Sequence, residues 1–143
     1  MDVLIDADAC PRNVLQIVQR LQSKYEYGLV TVSSFNHVIG ATNHITVGNE
    51  SQAADIALIN RVRSGDILVT QDYGLAAMAL GKKAAAISPH GRIYSEETID
   101  FLLEERNLKS RLRRGGVKTK GPAARSAEDD RRFEKNFEKL LSF

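Results

Sequence analysis

The sequence predicts an α/β fold: a three-layer α/β/α sandwich around a parallel sheet of about five strands in the order 3-2-1-4-5, with a C-terminal helical extension. Three observations lead there. Short, continuously apolar runs alternate with segments of helical periodicity, and the connections between them are short. Two of those runs end in aspartates, Val3-Leu4-Ile5-Asp6-Ala7-Asp8 and Ile67-Leu68-Val69-Thr70-Gln71-Asp72. Polar residues at the carboxyl ends of central strands in an open parallel sheet face one crevice at the switch point. The composition then changes after Arg114, which sets a boundary: an α/β domain over 1–114, a basic Gly/Pro-containing loop over 115–125, and a docking helix over 126–143.

The elements follow in order. Residues 3–7 read as a buried strand. Pro11 opens a helix whose Val14, Ile17, Val18 and Leu21 keep the i, i+3, i+4, i+7 spacing of one apolar face. Leu29 to Val32 is a second strand and Ile45-Thr46-Val47 a weaker third. Ser51 caps a helix that runs to about Val62 and is ended by Gly65. Ile67 to Thr70 is the fourth strand, Leu75 to Leu80 a short Ala-rich helix, and Ala84 to Ile87 the last strand. Ser95 caps a further helix with Glu96 and Glu97 in its first turn and Ile99, Leu102 and Leu103 inside. Gly115, Gly116, Gly121 and Pro122 interrupt regular structure. Ser126 then caps a final helix whose Phe133, Phe137, Leu140 and Leu141 form one docking stripe.

A chain of 143 residues is one domain with room for a real core. No apolar run approaches the roughly 20 residues that span a bilayer, and the first residues lack the pattern of a secretory signal, so no membrane partner is expected. One cysteine permits no internal disulfide, which fits a reducing, cytoplasmic setting. That residue, Cys10, reads as a buried structural thiol rather than a nucleophile, because neighbouring carboxylates oppose ionisation. His37, His44 and His90 have no ligand-like spacing, so zinc is not expected. The net charge of +2 hides an asymmetry: residues 1–100 hold eight Lys/Arg against eleven Asp/Glu, and residues 101–143 hold twelve against seven. Arg106 to Arg125 contains eight basic residues and no acid. An acidic cleft with a basic extension suits a polyanion held at its flanking phosphates.

The acids are the candidate site. Asp6 and Asp72 are the main metal ligands, with Asp8 and Asp55 completing the set directly or through water, and Thr70 orients Asp72 or a water. Gathered carboxylates repel one another, and a hard divalent cation, Mg²⁺ or Mn²⁺, relieves that repulsion. Such an ion activates water for attack on a phosphodiester. Asp6, Asp55 and Asp72 are the candidate catalytic residues, and Arg113, Arg114, Lys118, Lys120 and Arg125 are candidates for holding nucleic acid. The plainer uses of the same residues are helix caps and turns, which Asp8 before Pro11 and Asp72 before Gly74 can also serve.

The strings Ile5-Asp6-Ala7-Asp8-Ala9-Cys10-Pro11 and Gly65-Asp66-Ile67-Leu68-Val69-Thr70-Gln71-Asp72-Tyr73-Gly74-Leu75-Ala76-Ala77, with the Arg113-Arg114-Gly115-Gly116…Gly121-Pro122 tail, resemble the YaiI/YqxD family over nearly the whole chain. That family resembles a branch of the PIN-like nucleases, which implies an α/β/α sandwich with an acidic metal site. Asp6 matches the acid ending the first strand, Asp55-Ile56-Ala57 the helix start, and Thr70-Gln71-Asp72 the Thr-x-Asp after the fourth strand. The first helix carries no acid between Pro11 and Lys24, and Asp8 is the geometric stand-in for the missing one.

The function expected is a metal-dependent nuclease acting on RNA, single-stranded or structured. Two alternatives stand beside it. One is a nucleic-acid-binding protein with a vestigial metal site, which suits the missing helix acid. The other is a phosphatase of the haloacid dehalogenase type, which also opens on strand-Asp-x-Asp but needs a downstream Lys and a late Asp-Asp pair. The sequence offers only Asp129-Asp130, in the last helix.

Overall fold

The computed structural model describes residues 1–34, 44–48, 53–118 and 124–142. Along the chain come β1 (Asp2–Asp6), a 3₁₀ turn (Ala7–Ala9), α1 (Arg12–Tyr25), β2 (Gly28–Ser34), β3 (His44–Val47) and α2 (Ala53–Arg61). They are followed by β4 (Ile67–Val69), α3 (Tyr73–Gly81), β5 (Ala85–Ile87), α4 (Glu96–Arg114) and α5 (Ala127–Leu141). The strands make one parallel sheet in the order β3-β2-β1-β4-β5. This is the 3-2-1-4-5 order expected, and it sets the two acid-bearing strands side by side, with Ile5 opposite Val69.

Side chains alternate across a strand, so each short apolar run feeds two cores. Val3, Ile5, Ile67, Val69 and Ile87 pack on one face with Val14, Val18 and Leu21 of α1 and Phe133 and Phe137 of α5. Leu4, Val30, Val32 and Leu68 turn to the other face, against Leu58 of α2 and Leu75 and Ala79 of α3. Ala86 meets Ala76, Ile99 and Leu102 of α3 and α4. Helices on both faces of a sheet buried on both sides make the three-layer sandwich. Among the described residues, no helix is long and apolar enough to cross a membrane.

Some boundaries fall elsewhere than the sequence predicts. Pro11 stands just outside α1, with extended backbone, and the helix begins at Arg12. Gly65 does not end α2: the helix stops at Arg61, and Gly65, at φ +89°, turns the chain into β4 with its N–H on the Lys83 carbonyl at 3.1 Å. Ser51, the expected cap of α2, lies outside the described residues, as do His37, Gly121 and Pro122. Ser95 caps α4 as expected, its Oγ accepting from the Thr98 N–H at 3.2 Å, and the helix runs through Arg114. Nothing between Glu96 and Arg114 breaks a helix, Glu105 and Lys109 pair on it at 3.1 Å, and Gly115 is the first stop.

The last helix docks as its stripe requires. Phe133 and Phe137 are fully buried and stacked, 5.3 Å between centroids, with the Tyr27 ring edge-on to Phe137. Burying each such ring contributes roughly 1.5–3 kcal/mol. Polar contacts to α1 surround them: the Tyr25 hydroxyl donates to Glu138 at 2.7 Å, Asn13 to Asp130 at 3.0 Å, and Arg20 pairs with Glu134. The other anchor is the tight turn Ser88–Arg92. Gly91 has φ +92°, and a Cβ there would stand 2.6 Å from the Phe133 nitrogen, so only glycine lets α5 come this close. Asn136 then donates to the Gly91 carbonyl at 2.6 Å.

Candidate functional site

Asp6 closes β1 and Thr70 follows β4, which makes them neighbours across the sheet's centre. A hydroxyl has one proton to give and lone pairs to receive. Thr70 uses both: its Oγ1 donates to Asp6 Oδ2 at 3.0 Å and accepts from the Asp72 N–H at 3.0 Å. Thr70 is itself buried and pinned, its N–H on the Ile87 carbonyl at 3.1 Å and its carbonyl receiving the Tyr94 hydroxyl at 3.1 Å. The residue expected to orient Asp72 therefore ties the Asp6 carboxylate to the Asp72 backbone.

Asp72 also caps α3, its Oδ1 accepting from the Leu75 N–H at 3.1 Å. The cap and the site are compatible, since the cap fixes the carboxylate where the crevice needs it. Asp55, in the first turn of α2, reaches Asp72 from the adjoining layer and hydrogen-bonds its side chain. Burial and then the Asp72 charge push the Asp55 pKa above the usual carboxylate range. The two acids line a cleft of about 220 Å³ with Ile56 and Met78. Asp8 is held from β2: Ser34 donates its N–H to Oδ2 at 2.9 Å and its Oγ–H to Oδ1 at 3.3 Å.

These carboxylates act on one another through their charges. Asp6 is pushed up to about 6, chiefly by burial, with the charges of Asp55, Asp8 and Asp72 adding and the Thr70 hydroxyl opposing. The structure thus links Asp6 to Asp72 through Thr70 and Asp55 to Asp72 directly, with Asp8 within electrostatic reach of Asp6. Among the described residues, no group of three or more His, Cys, Asp and Glu side chains is arranged to hold a metal ion as it stands. The donor chemistry nonetheless fits: every candidate ligand is a hard carboxylate oxygen. Mg²⁺ is usually taken by one or two carboxylates while keeping several waters.

The remaining polar residues separate by role. Asp66, at the opposite end of β4, is structural, accepting from the N–H groups of Asp2 and Arg63, both at 2.9 Å. Cys10 is half-buried and its thiol is pushed up to about 12 by burial, so it stays protonated and unreactive. His44 bonds the hydroxyls of Thr31 and Ser33, at 2.6 and 2.8 Å. Of the basic candidates, Arg113 and Arg114 are exposed on the last turn of α4 and Lys118 is exposed just after it, while Lys120 lies outside the described residues. Arg125 is placed elsewhere. It pairs with Asp130 at 2.6 Å and donates to the Pro89 carbonyl at 2.7 Å, holding α5 in place.

One residue that the sequence reading left inside its basic run belongs at the site. Because α4 is long, Arg106 reaches a cleft of about 470 Å³ that it lines with Asp6, Gln71, Asp72 and Tyr73. Its guanidinium lies 6.0 Å from the centre of the Tyr73 ring. The signal was available: Ile99, Leu102 and Arg106 stand at i, i+3, i+7, which puts the arginine on the inner stripe.

The family model described as "Uncharacterized BCR, YaiI/YqxD family" matches residues 4–143. A UPF0178 protein of Heliobacterium modesticaldum is 52% identical over 141 residues, covering 99% of this chain and 97% of its own length. One from Exiguobacterium sibiricum is 47% identical over 144 residues, covering 99% and 97%. One from Clostridium kluyveri is 42% identical over 143 residues, covering 99% and 93%. No solved structure gives a significant match.

Proposed function

We propose that this chain, which belongs to the YaiI/YqxD family, is a divalent-metal-dependent nuclease cleaving phosphodiester bonds in RNA at the crevice of Asp6, Asp55 and Asp72. The observation that carries this reading is the Thr70 hydroxyl shared between Asp6 and Asp72. It ties the Asp6 carboxylate to the backbone of Asp72, and both residues line a cleft that also contains a cation, Arg106.

Asp6 and Asp72 would hold Mg²⁺ or Mn²⁺, and such an ion, when bound, lowers the pKa of a water and offsets charge on the attacked phosphate. The chain's own residues do the rest. Above pH 6 Asp6 is largely ionised and available as a ligand. Thr70 holds the Asp6 carboxylate and the Asp72 backbone, and the Leu75 N–H holds the Asp72 carboxylate. Arg106, held beside Tyr73, pairs with a phosphate oxygen, since guanidinium–phosphate bonds are charge-assisted. Arg113, Arg114 and Lys118, with Lys120, hold flanking phosphates without reading sequence.

A second reading, a non-catalytic RNA-binding protein with a vestigial site, is favoured by the lack of a ready three-ligand group among the described residues. The phosphatase reading is weaker: both oxygens of Asp8, which would be its general acid, accept from Ser34. One assay separates all three. Single-stranded RNA and a generic phosphomonoester are incubated with the protein and Mn²⁺, with and without chelator. RNA cut only in the absence of chelator is the nuclease result. RNA bound but intact is the binding result, and phosphomonoester turnover alone is the phosphatase result.

A further inference from the structure

We propose that the cleft walled by His90, Arg92 and Arg132 is an anion subsite that takes a second phosphate of the bound polynucleotide; the polynucleotide part rests on the nuclease reading. The cleft encloses about 600 Å³ and adjoins the acidic one, because Gln71 and Tyr73 line both. A strand whose scissile phosphate lies near Asp6 and Asp72 therefore has a continuous surface on which its next phosphate can rest.

Three features make this surface suited to an anion. The first is charge. Glu105 is the one acid lining the cleft, and it is already paired with Lys109 at 3.1 Å. Arg92, by contrast, makes no ion pair among the described residues. Arg132 pairs with Asp129 at 3.0 Å and stays half-exposed. The second is rigidity. Ser88 and Arg92 close the turn with two bonds, Ser88 N–H to the Arg92 carbonyl at 2.8 Å and Arg92 N–H to Ser88 Oγ at 3.1 Å. Gly91 then seats the turn against the α5 backbone, which brings Arg132 alongside. A cation on a fixed turn loses less entropy on binding than one on a free chain. The third is need. The neighbouring carboxylate cluster repels a polyanion, and nearby cations offset that field.

The test has two arms. In the first, inorganic phosphate and tripolyphosphate are titrated into metal-free protein while NMR follows the His90 ring and the Arg92 side-chain N–H. Saturable shifts at both are expected, with the His90 shift lost in Arg92→Ala; no shift in the wild type, or an undiminished His90 shift in Arg92→Ala, overturns the subsite. In the second, the salt dependence of single-stranded RNA binding is measured without divalent metal. Arg92→Ala should reduce the log–log slope by about 0.7, Arg92→Lys should restore it, and Arg61→Ala on α2 should leave it alone. An unchanged slope in Arg92→Ala, or no RNA binding by the wild type, overturns the assignment of the ligand. Failures are distinguishable. Phosphate shifts at Arg92 with RNA left uncut in Mn²⁺ keep the anion site and sink the nuclease reading. RNA cut in Mn²⁺ with an unchanged Arg92→Ala slope keeps the nuclease reading and overturns the polynucleotide as the ligand of this cleft.

Discussion

Replacing Asp6 by Asn removes one charge from the crevice and keeps its shape, since the Asn carbonyl can still accept from the Thr70 hydroxyl. The carboxyl of Asp6 ionises near 3.8 in an unfolded chain and at about 6 in the metal-free fold. Below 3.8 it is protonated in both states and contributes no pH dependence. Between 3.8 and 6 the unfolded chain releases its proton while the fold keeps it, which favours unfolding. Above 6 the penalty is complete, so wild-type stability falls as pH rises. A shift of about two units at 1.36 kcal/mol each amounts to about 3 kcal/mol. Urea melts of wild type and Asp6→Asn in chelator, from pH 3.5 to 7.5, should therefore diverge, with the variant gaining about 3 kcal/mol on the wild type by pH 7. Added Mn²⁺ should then raise the wild-type midpoint and leave the variant's unchanged. Parallel pH curves, or a variant less stable than wild type at pH 7, would refute the reasoning and make Asp6 a structural residue.

Gly91→Ala should lower the urea midpoint by at least about 2 kcal/mol, because it combines positive φ with a Cβ 2.6 Å from the α5 backbone. Loss of near-ultraviolet tyrosine signal at Tyr27 would show that α5 has undocked. Thr70→Val strips Asp6 of its donor and the Asp72 N–H of its acceptor, at a cost of about 1–3 kcal/mol. Its RNA cleavage rate should fall at least about tenfold, and Thr70→Ser should recover most of both. Arg113→Ala/Arg114→Ala should leave the melt unchanged and reduce the log–log salt slope of RNA binding by about 1.4, at about 0.7 per phosphate contact. Arg125→Ala should do the opposite, lowering the melt through its lost Asp130 and Pro89 contacts and leaving the slope unaltered.

The architecture was legible because its signals are local and redundant. Val3-Leu4-Ile5 and Ile67-Leu68-Val69 are too short and too evenly apolar for anything but strands buried on both faces, and the acids at their ends mark the crevice. The Phe133/Phe137 stripe likewise announced a docked helix. Other features depend on long-range contacts that no local pattern encodes. Arg125 belongs to a basic run by sequence and pairs locally with Asp130, yet its Pro89 partner meets it only after α5 folds back. Asp8 reads as a metal ligand by its spacing from Asp6, and its engagement by Ser34 appears only once β1 and β2 pair. The place of Arg106 at the acidic cleft depends on how α4 packs, and the apolar stripe that sets this packing fades after Leu103. Helix propensity and the Glu105–Lys109 pair carry the helix on from there.

The central claim is that the Asp6–Thr70–Asp72 arrangement binds a divalent cation and cuts RNA. End-labelled single-stranded RNA incubated with purified wild type, Asp6→Asn and Asp72→Asn in Mn²⁺ tests it directly. All three proteins are first shown to be folded by melts in chelator. Cleavage by the wild type alone is expected, abolished by chelator and restored by excess Mn²⁺. RNA left intact by the wild type, or cut equally well by both variants, would contradict it.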